Sequence, residues 1–170
     1  AEAHNNLGNA FKDLGQLDTA VKSYEQSLTI KPDFADAHYN LGVTLQVLGQ
    51  LDAAVKSYVK VLAIKPGYTE AFNNLGSVLK ELGQLDMAVK SYEKILAIKP
   101  DFAEAHYNLG VTLQELGQLD ASIKCCEQAI DIKPDFAEAH NNLGVMFQEL
   151  GQLDAAVKSY KKVIAIKPDY

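Results

Sequence analysis

Apolar positions recur along this chain at spacings of three and four, interrupted at fixed intervals by glycine and proline. In the first stretch Ala3, Leu7, Ala10, Phe11 and Leu14 fall on one face of a helix. Gly15 follows, a residue suited to the left-handed conformation that ends a helix. A second run, Leu17, Val21, Tyr24, Leu28 and Ile30, predicts a second helix with Asp18 as its N-terminal cap. Lys31 suits the negative end of that helix, and Pro32 stops it. Asp33-Phe34-Ala35-Asp36 then predicts a new helix start, an acidic cap with an acid three residues on. The unit is helix, tight turn, helix, short connection.

This unit occurs five times without a gap, as residues 1–34, 35–68, 69–102, 103–136 and 137–170. Thirteen of the 34 columns hold one residue throughout, among them Gly8, Pro32 and the tetrad Gly15-Gln16-Leu17-Asp18. Repetition at this period is the mark of stacked supersecondary units rather than one globular core. Copies two and four also share the stretch Ala-His-Tyr-Asn-Leu-Gly-Val-Thr-Leu-Gln, at residues 37–46 and 105–114, a hint of duplication in pairs. Gly8 stands on the apolar face beside Leu7 and Phe11, with Ala20 expected opposite it. A glycine inside a helix costs about 1 kcal/mol relative to alanine. Five of them at one column predict close approach of two helices.

In spacing and identity, Leu7, Gly8, Phe11, Ala20, Tyr24 and Pro32 resemble the tetratricopeptide repeat, in five registers over all 170 residues. The resemblance implies an all-α fold, a right-handed α-solenoid superhelix of helix-turn-helix units whose first helices line a concave face. Departures occur. The fourth column carries His4, His38, His106 and His140 where a large aromatic is expected, with Phe72 in the third copy. The fourth copy has Ser122 for alanine and Cys126 for tyrosine, so its core is expected to be the loosest.

Composition narrows the function. The chain is 48% hydrophobic with a net charge of −6, from 16 lysines and 22 acids and no arginine. Nucleic acid is an unsuitable partner, because backbone phosphates need a basic footprint. No apolar run approaches the roughly 20 residues that span a membrane. The adjacent pair Cys125 and Cys126 is too small a set for a disulfide framework, which suggests a reducing, cytoplasmic setting. Catalytic signals are missing from the sequence. The histidines are separated by whole repeats, roughly 10 Å when stacked, whereas metal–nitrogen bonds are near 2 Å. Phosphate loops, nucleophile elbows and zinc motifs do not occur. The chain reads as non-catalytic, with no cofactor and no metal.

Positions 2, 5, 6, 9, 12 and 13 of each copy fall on one stripe of the first helix, opposite Leu7, Phe11 and Leu14. That stripe carries an asparagine ladder, Asn6, Asn40, Asn74, Asn108 and Asn142. A carboxamide donates and accepts, so it suits a peptide backbone of any sequence; scaffold hydrogen bonding is the competing use. Tyr39, Val43 and Val47 add an apolar strip, partly repeated by Tyr107 and Val111. The first helices are acidic and the second helices lysine-rich, so the expected partner is a protein or peptide that is neutral to basic. The family's carboxylate clamp for acidic chaperone tails is not matched, since Asn5, Glu70 and Glu104 stand where lysines are required. The leading expectation is a scaffold holding an extended segment in its groove. The alternatives are a substrate-presenting arm like that of protein O-linked N-acetylglucosamine transferases, whose repeats carry a similar ladder, and a self-assembling array. The chain reads as a single array excerpted from a longer one, with apolar end faces expected to stack head to tail.

Overall fold

The structure, a computed structural model, describes residues 1–169. Among the described residues ten helices follow one another: α1 (Glu2–Asp13) pairs with α2 (Leu17–Ile30), α3 (Ala35–Val47) pairs with α4 (Leu51–Ile64), and α5 (Thr69–Glu81) is followed by α6 (Leu85–Ile98). After these come α7 (Ala103–Glu115) with α8 (Leu119–Ile132) and α9 (Ala137–Glu149) with α10 (Leu153–Ile166). Among the described residues there is no strand, and no helix is long and apolar enough to cross a membrane. The fold is an all-α solenoid of helical hairpins. The chain divides into two compact units, residues 1–84 and residues from 85 onward.

Each hairpin turn closes by the same chemistry. Gly15 adopts φ +74°, its N–H donates to the Lys12 carbonyl at 2.9 Å, and the Gln16 N–H reaches back to Phe11 at 2.8 Å. This satisfies carbonyls that the end of α1 would leave unpaired. The equivalent glycines 49, 83, 117 and 151 repeat the conformation. The helix starts differ from expectation. Gln16, not Asp18, caps α2, and Phe34, not Asp33, caps α3; neither makes a side-chain cap hydrogen bond. Asp18 and Asp36 lie one step inside, in the first turn, where a carboxylate still favours the positive helix end.

The invariant glycine of the first helix has a different partner from the one expected. A methyl group on Gly8 would lie 2.5 Å from Cε1 of Tyr24, and on Gly42 2.8 Å from that of Tyr58. The tyrosine ring of the second helix, rather than Ala20, occupies the space that the missing side chain leaves. Tyr24 and Tyr58 are fully buried, and Ala20 and Ala54 beside them are too. In the fourth hairpin a methyl group on Gly110 would lie 3.0 Å from the Cys126 Sγ. The space is not left loose: Cys126 packs with Leu143 and Met146, and Met146 is fully buried.

Candidate functional site

Within the first unit, α1, α3 and α5 present the asparagine ladder, and its rungs Asn40 and Asn74 are each hydrogen-bonded to the hairpin before their own. Asn40 donates through Nδ2 to Oδ1 of Asn5 at 3.0 Å. Asn74 donates through Nδ2 to the Tyr39 hydroxyl at 3.2 Å. Each rung runs from the sixth position of one hairpin to the fifth position of the hairpin before it. The amide planes are thereby held. Asn6 is exposed, while Asn40 and Asn74 are half-buried.

The apolar strip divides in two. Tyr39 is used for packing: its ring centroid lies 5.1 Å from that of Tyr68 and 6.1 Å from that of Tyr58. Such tilted pairs add to the burial of each ring. Val43 is half-buried, and Val47 is 67% exposed at the end of α3. Of the three, only Val47 offers most of its side chain to a partner.

Residues beside the ladder are anchored from behind. The Tyr24 hydroxyl donates to Oδ1 of Asn9 at 2.9 Å, and the Tyr58 hydroxyl donates to Oε1 of Gln46 at 3.0 Å. The buried tyrosine column thus reaches past the glycines to fix side chains of the first-helix stripe. Burial raises the Tyr24 hydroxyl above its ordinary value and drives that of Tyr58 far above it. Both remain neutral donors. The sequence held a partial signal for this anchoring, Asn9 in the first copy and Gln46 and Gln148 at position 12 of the second and fifth, each with a tyrosine at position 24, but only the fold shows that they meet.

The second unit repeats the aromatic packing and the tyrosine anchor on α7 and α9. The Tyr107 ring lies 4.9 Å from that of Phe136 and packs against Ala103, Ala129 and Ala139. Asn108 and Asn142 are half-buried. The Tyr160 hydroxyl donates to Gln148 at 3.2 Å, but Gln114 has no such anchor because Cys126 replaces the tyrosine. Behind α9, a shallow cleft of about 330 Å³ separates Glu127 and Asp131 on α8 from Lys158 and Lys162 on α10. Its opposed charges favour neither sign of ligand.

Charge on the stripe is lower than the sequence implied. Three of the five acids at the second position are paired with the lysine that ends their own hairpin: Asp36 with Lys65 at 2.8 Å, Glu104 with Lys133 at 3.3 Å, and Glu138 with Lys167. The hydrogen bond from Lys167 holds the Glu138 carboxyl below the usual range. These acids therefore belong to loop closure as much as to the groove. Lys31, Lys65, Lys99 and Lys133 also stand over the next aromatic, Lys31 over Phe34 at 5.3 Å and Lys133 over Phe136 at 4.8 Å. Acids left on the stripe include Glu2 at the second position and Asp13, Glu81 and Glu149 at position 13.

The histidines serve the connections. His38, His106 and His140 each donate Nε2–H to the carbonyl of the proline six residues earlier, at 2.8, 2.8 and 3.0 Å. A prolyl carbonyl only accepts, so the proton must sit on Nε2. Among the described residues, no three His, Cys, Asp or Glu side chains are grouped as metal ligands. Burial raises both thiols, Cys126 to about 12, which leaves them protonated.

Stacked hairpins with a polar, hydrogen-bonded stripe on their first helices define a helical-repeat protein of the interaction-scaffold class. Models described as "TPR repeat" match residues 8–49 and 76–117, and one described as "Tetratricopeptide repeat" matches residues 35–68, 103–136 and 137–170. The chain belongs to the tetratricopeptide repeat family. Among solved structures it is similar to a crystal structure of MamA, with a TM-score of 0.91 and 27% identity over 95% of this chain and 94% of that one. A second MamA crystal structure gives a TM-score of 0.91 and 26% identity, covering 98% and 91%. YrrB, described as a TPR protein with an unusual peptide-binding site, shares the fold with a TM-score of 0.83 and 24% identity, covering 98% and 86%. No curated protein matches the chain.

Proposed function

We propose that this chain is a non-catalytic scaffold whose first-helix stripe holds an extended segment of a protein partner. One observation carries the reading. The Asn40 and Asn74 amides each spend one N–H on the preceding hairpin, at 3.0 and 3.2 Å. That contact fixes the plane of each carboxamide; Asn74 is also hydrogen-bonded to the Tyr58 hydroxyl, whereas Asn40 keeps its oxygen and second N–H to pair with a peptide N–H and C=O. An orienting bond of this kind removes rotamer entropy that binding would otherwise have to overcome. Val47, at the open end of α3, provides an apolar contact on the same stripe. Asp13 and Glu81 favour a neutral or basic segment, with affinity that falls as salt rises.

The test is an array of ten-residue peptides of neutral, basic and acidic composition probed with the chain. Neutral or basic peptides should be retained, and Val47→Glu should weaken hydrophobic ones while leaving helicity unchanged. Equal retention of acidic and basic peptides, or binding indifferent to both Val47→Glu and Asn74→Ala, would sink the groove reading.

A further inference from the structure

The shallow cleft behind α9 is walled by charges that do not meet. Glu127 and Asp131 stand one turn apart on α8, and Lys158 and Lys162 stand one turn apart on α10; all four are exposed. Among the described residues none of them forms an ion pair. Each wall therefore keeps two like charges at a spacing where they repel. Between the walls lies an apolar floor of Ile130, Leu143 and Phe147, which belongs to the cluster built round Cys126 and Met146. The other polar side chains of the lining are bonded to the chain itself. His140 donates from Nε2 to the Pro134 carbonyl at 3.0 Å, and Ser159 donates to the Ala155 carbonyl at 3.1 Å. Selection of a partner is left to the four charges.

The full set of four occurs at one place in the chain. In the same columns α2 and α4 carry Glu25 and Thr29 with Lys56 and Lys60. Val59 and Ala63 of α4 stand where the acids would be for the next pair, and α6 and α8 carry Glu93 and Ala97 with Lys124 and Gln128. The two-signed cleft is thus a feature of the fourth and fifth hairpins and not of the repeat.

Its shape selects the kind of occupant. At about 330 Å³ it sits at the low end of the ~300–1,000 Å³ of ligand pockets, which enclose most of a small molecule; a shallow cleft does not. A protein segment, covered on one side only, fits better. Strand side chains alternate between two opposite directions, so an extended segment cannot set bases towards α8, acids towards α10 and apolar groups on the floor. A helix can, because successive residues turn by about 100° and residues at i and i+4 repeat the one-turn spacing of both walls. We infer that the cleft docks a short amphipathic helix of a protein partner, its apolar stripe on Ile130, Leu143 and Phe147. Lysine or arginine borders that stripe along the α8 edge, and glutamate or aspartate along the α10 edge. Reversing the helix would carry each charged edge to the like-charged wall, so the same charges fix its direction. The cleft is walled by second helices, away from the asparagine stripe, and the inference does not rest on the groove reading.

The test uses three stapled helical peptides of about 15 residues, a length at which helices begin to hold. All share one leucine stripe, bordered by a basic and an acidic edge, by two basic edges or by two acidic edges. In fluorescence anisotropy the two-signed peptide should bind the wild-type chain about tenfold more tightly than either single-signed one, which sets one edge against a like-charged wall. Backbone amide shifts should change along α8 and α10 and stay fixed at Asn108 and Asn142. In the double variant Lys158→Glu with Lys162→Glu both walls are acidic, so preference should pass to the peptide with two basic edges. Both positions are exposed, and circular dichroism checks folding. Equal binding of the three peptides, no binding of the two-signed one, an unchanged preference in the double variant, or shifts confined to the asparagine stripe would each overturn the inference.

Discussion

The Ser122 Oγ lies 2.7 Å from the Gly110 carbonyl oxygen and 3.0 Å from the Met146 sulfur, two acceptors that share its one proton, which joins the fourth hairpin to the fifth. Where the other hairpins hold a tyrosine, the fourth holds Cys126, and the facing column of the next hairpin changes with it. Thr44 lies beside Tyr24, whereas Met146, the largest residue in that column, lies with Cys126. Volume lost from one helix is returned by the next. The two substitutions that mark the fourth copy as irregular are one repacked contact.

This relationship reverses the simple expectation for restoring the tyrosine. Cys126→Tyr alone forces a ring into space that Met146 fills, and overpacking costs about 1–3 kcal/mol. Thermal unfolding should show a lower Tm for Cys126→Tyr, with stability recovered or exceeded when Met146→Thr is added. A single variant more stable than wild type would mean that Met146 swings aside without cost.

Gly42→Ala tests the contact between glycine and tyrosine. Alanine gains about 1 kcal/mol of helix propensity, but its methyl group would lie 2.8 Å from Cε1 of the fully buried Tyr58. The steric term should win, with a net loss of about 1–2 kcal/mol in urea unfolding. A stabilised variant would show that the ring yields easily.

The ladder has a structural share that truncation must expose. Asn40→Ala strands Oδ1 of Asn5, a residue only 6% exposed, and an unpaired buried acceptor costs about 1–3 kcal/mol. The expected result is a lower unfolding midpoint with helicity retained. An unchanged midpoint would return the rung to ligand binding alone.

Alkaline pH should unfold the chain through its buried acids. Tyr92 is pushed up to about 12 by burial, Tyr24 and Tyr58 are raised for the same reason, and so is Cys126, to about 12. In the unfolded chain these groups ionise near 10.0 for tyrosine and 9.0 for cysteine. Their stabilising effect is therefore complete below pH 9 and is lost as pH rises towards 12, by about 1.4 kcal/mol per pH unit for each group. Tyrosinate absorbance should include a late phase that coincides with loss of helical dichroism. Ionisation of all tyrosines near pH 10 with helices intact would contradict it.

Periodicity alone carried the hairpin architecture, because helix ends are local: Gly15 needs only its own φ, and Pro32 only its missing N–H. Identity of columns likewise foretold that Gly8 meets a neighbouring helix. Partners across space were not readable in the same way. The sequence placed Ala20 opposite Gly8 and put Tyr39 and the second-position acids in a groove; the fold sets Tyr24 on Gly8, packs Tyr39 between two rings and pairs Asp36 with Lys65. A repeat fixes which column a residue occupies, since backbone geometry recurs every 34 residues. Which side chains touch depends on crossing angle and side-chain reach, and those are properties of packed helices rather than of spacing along a chain.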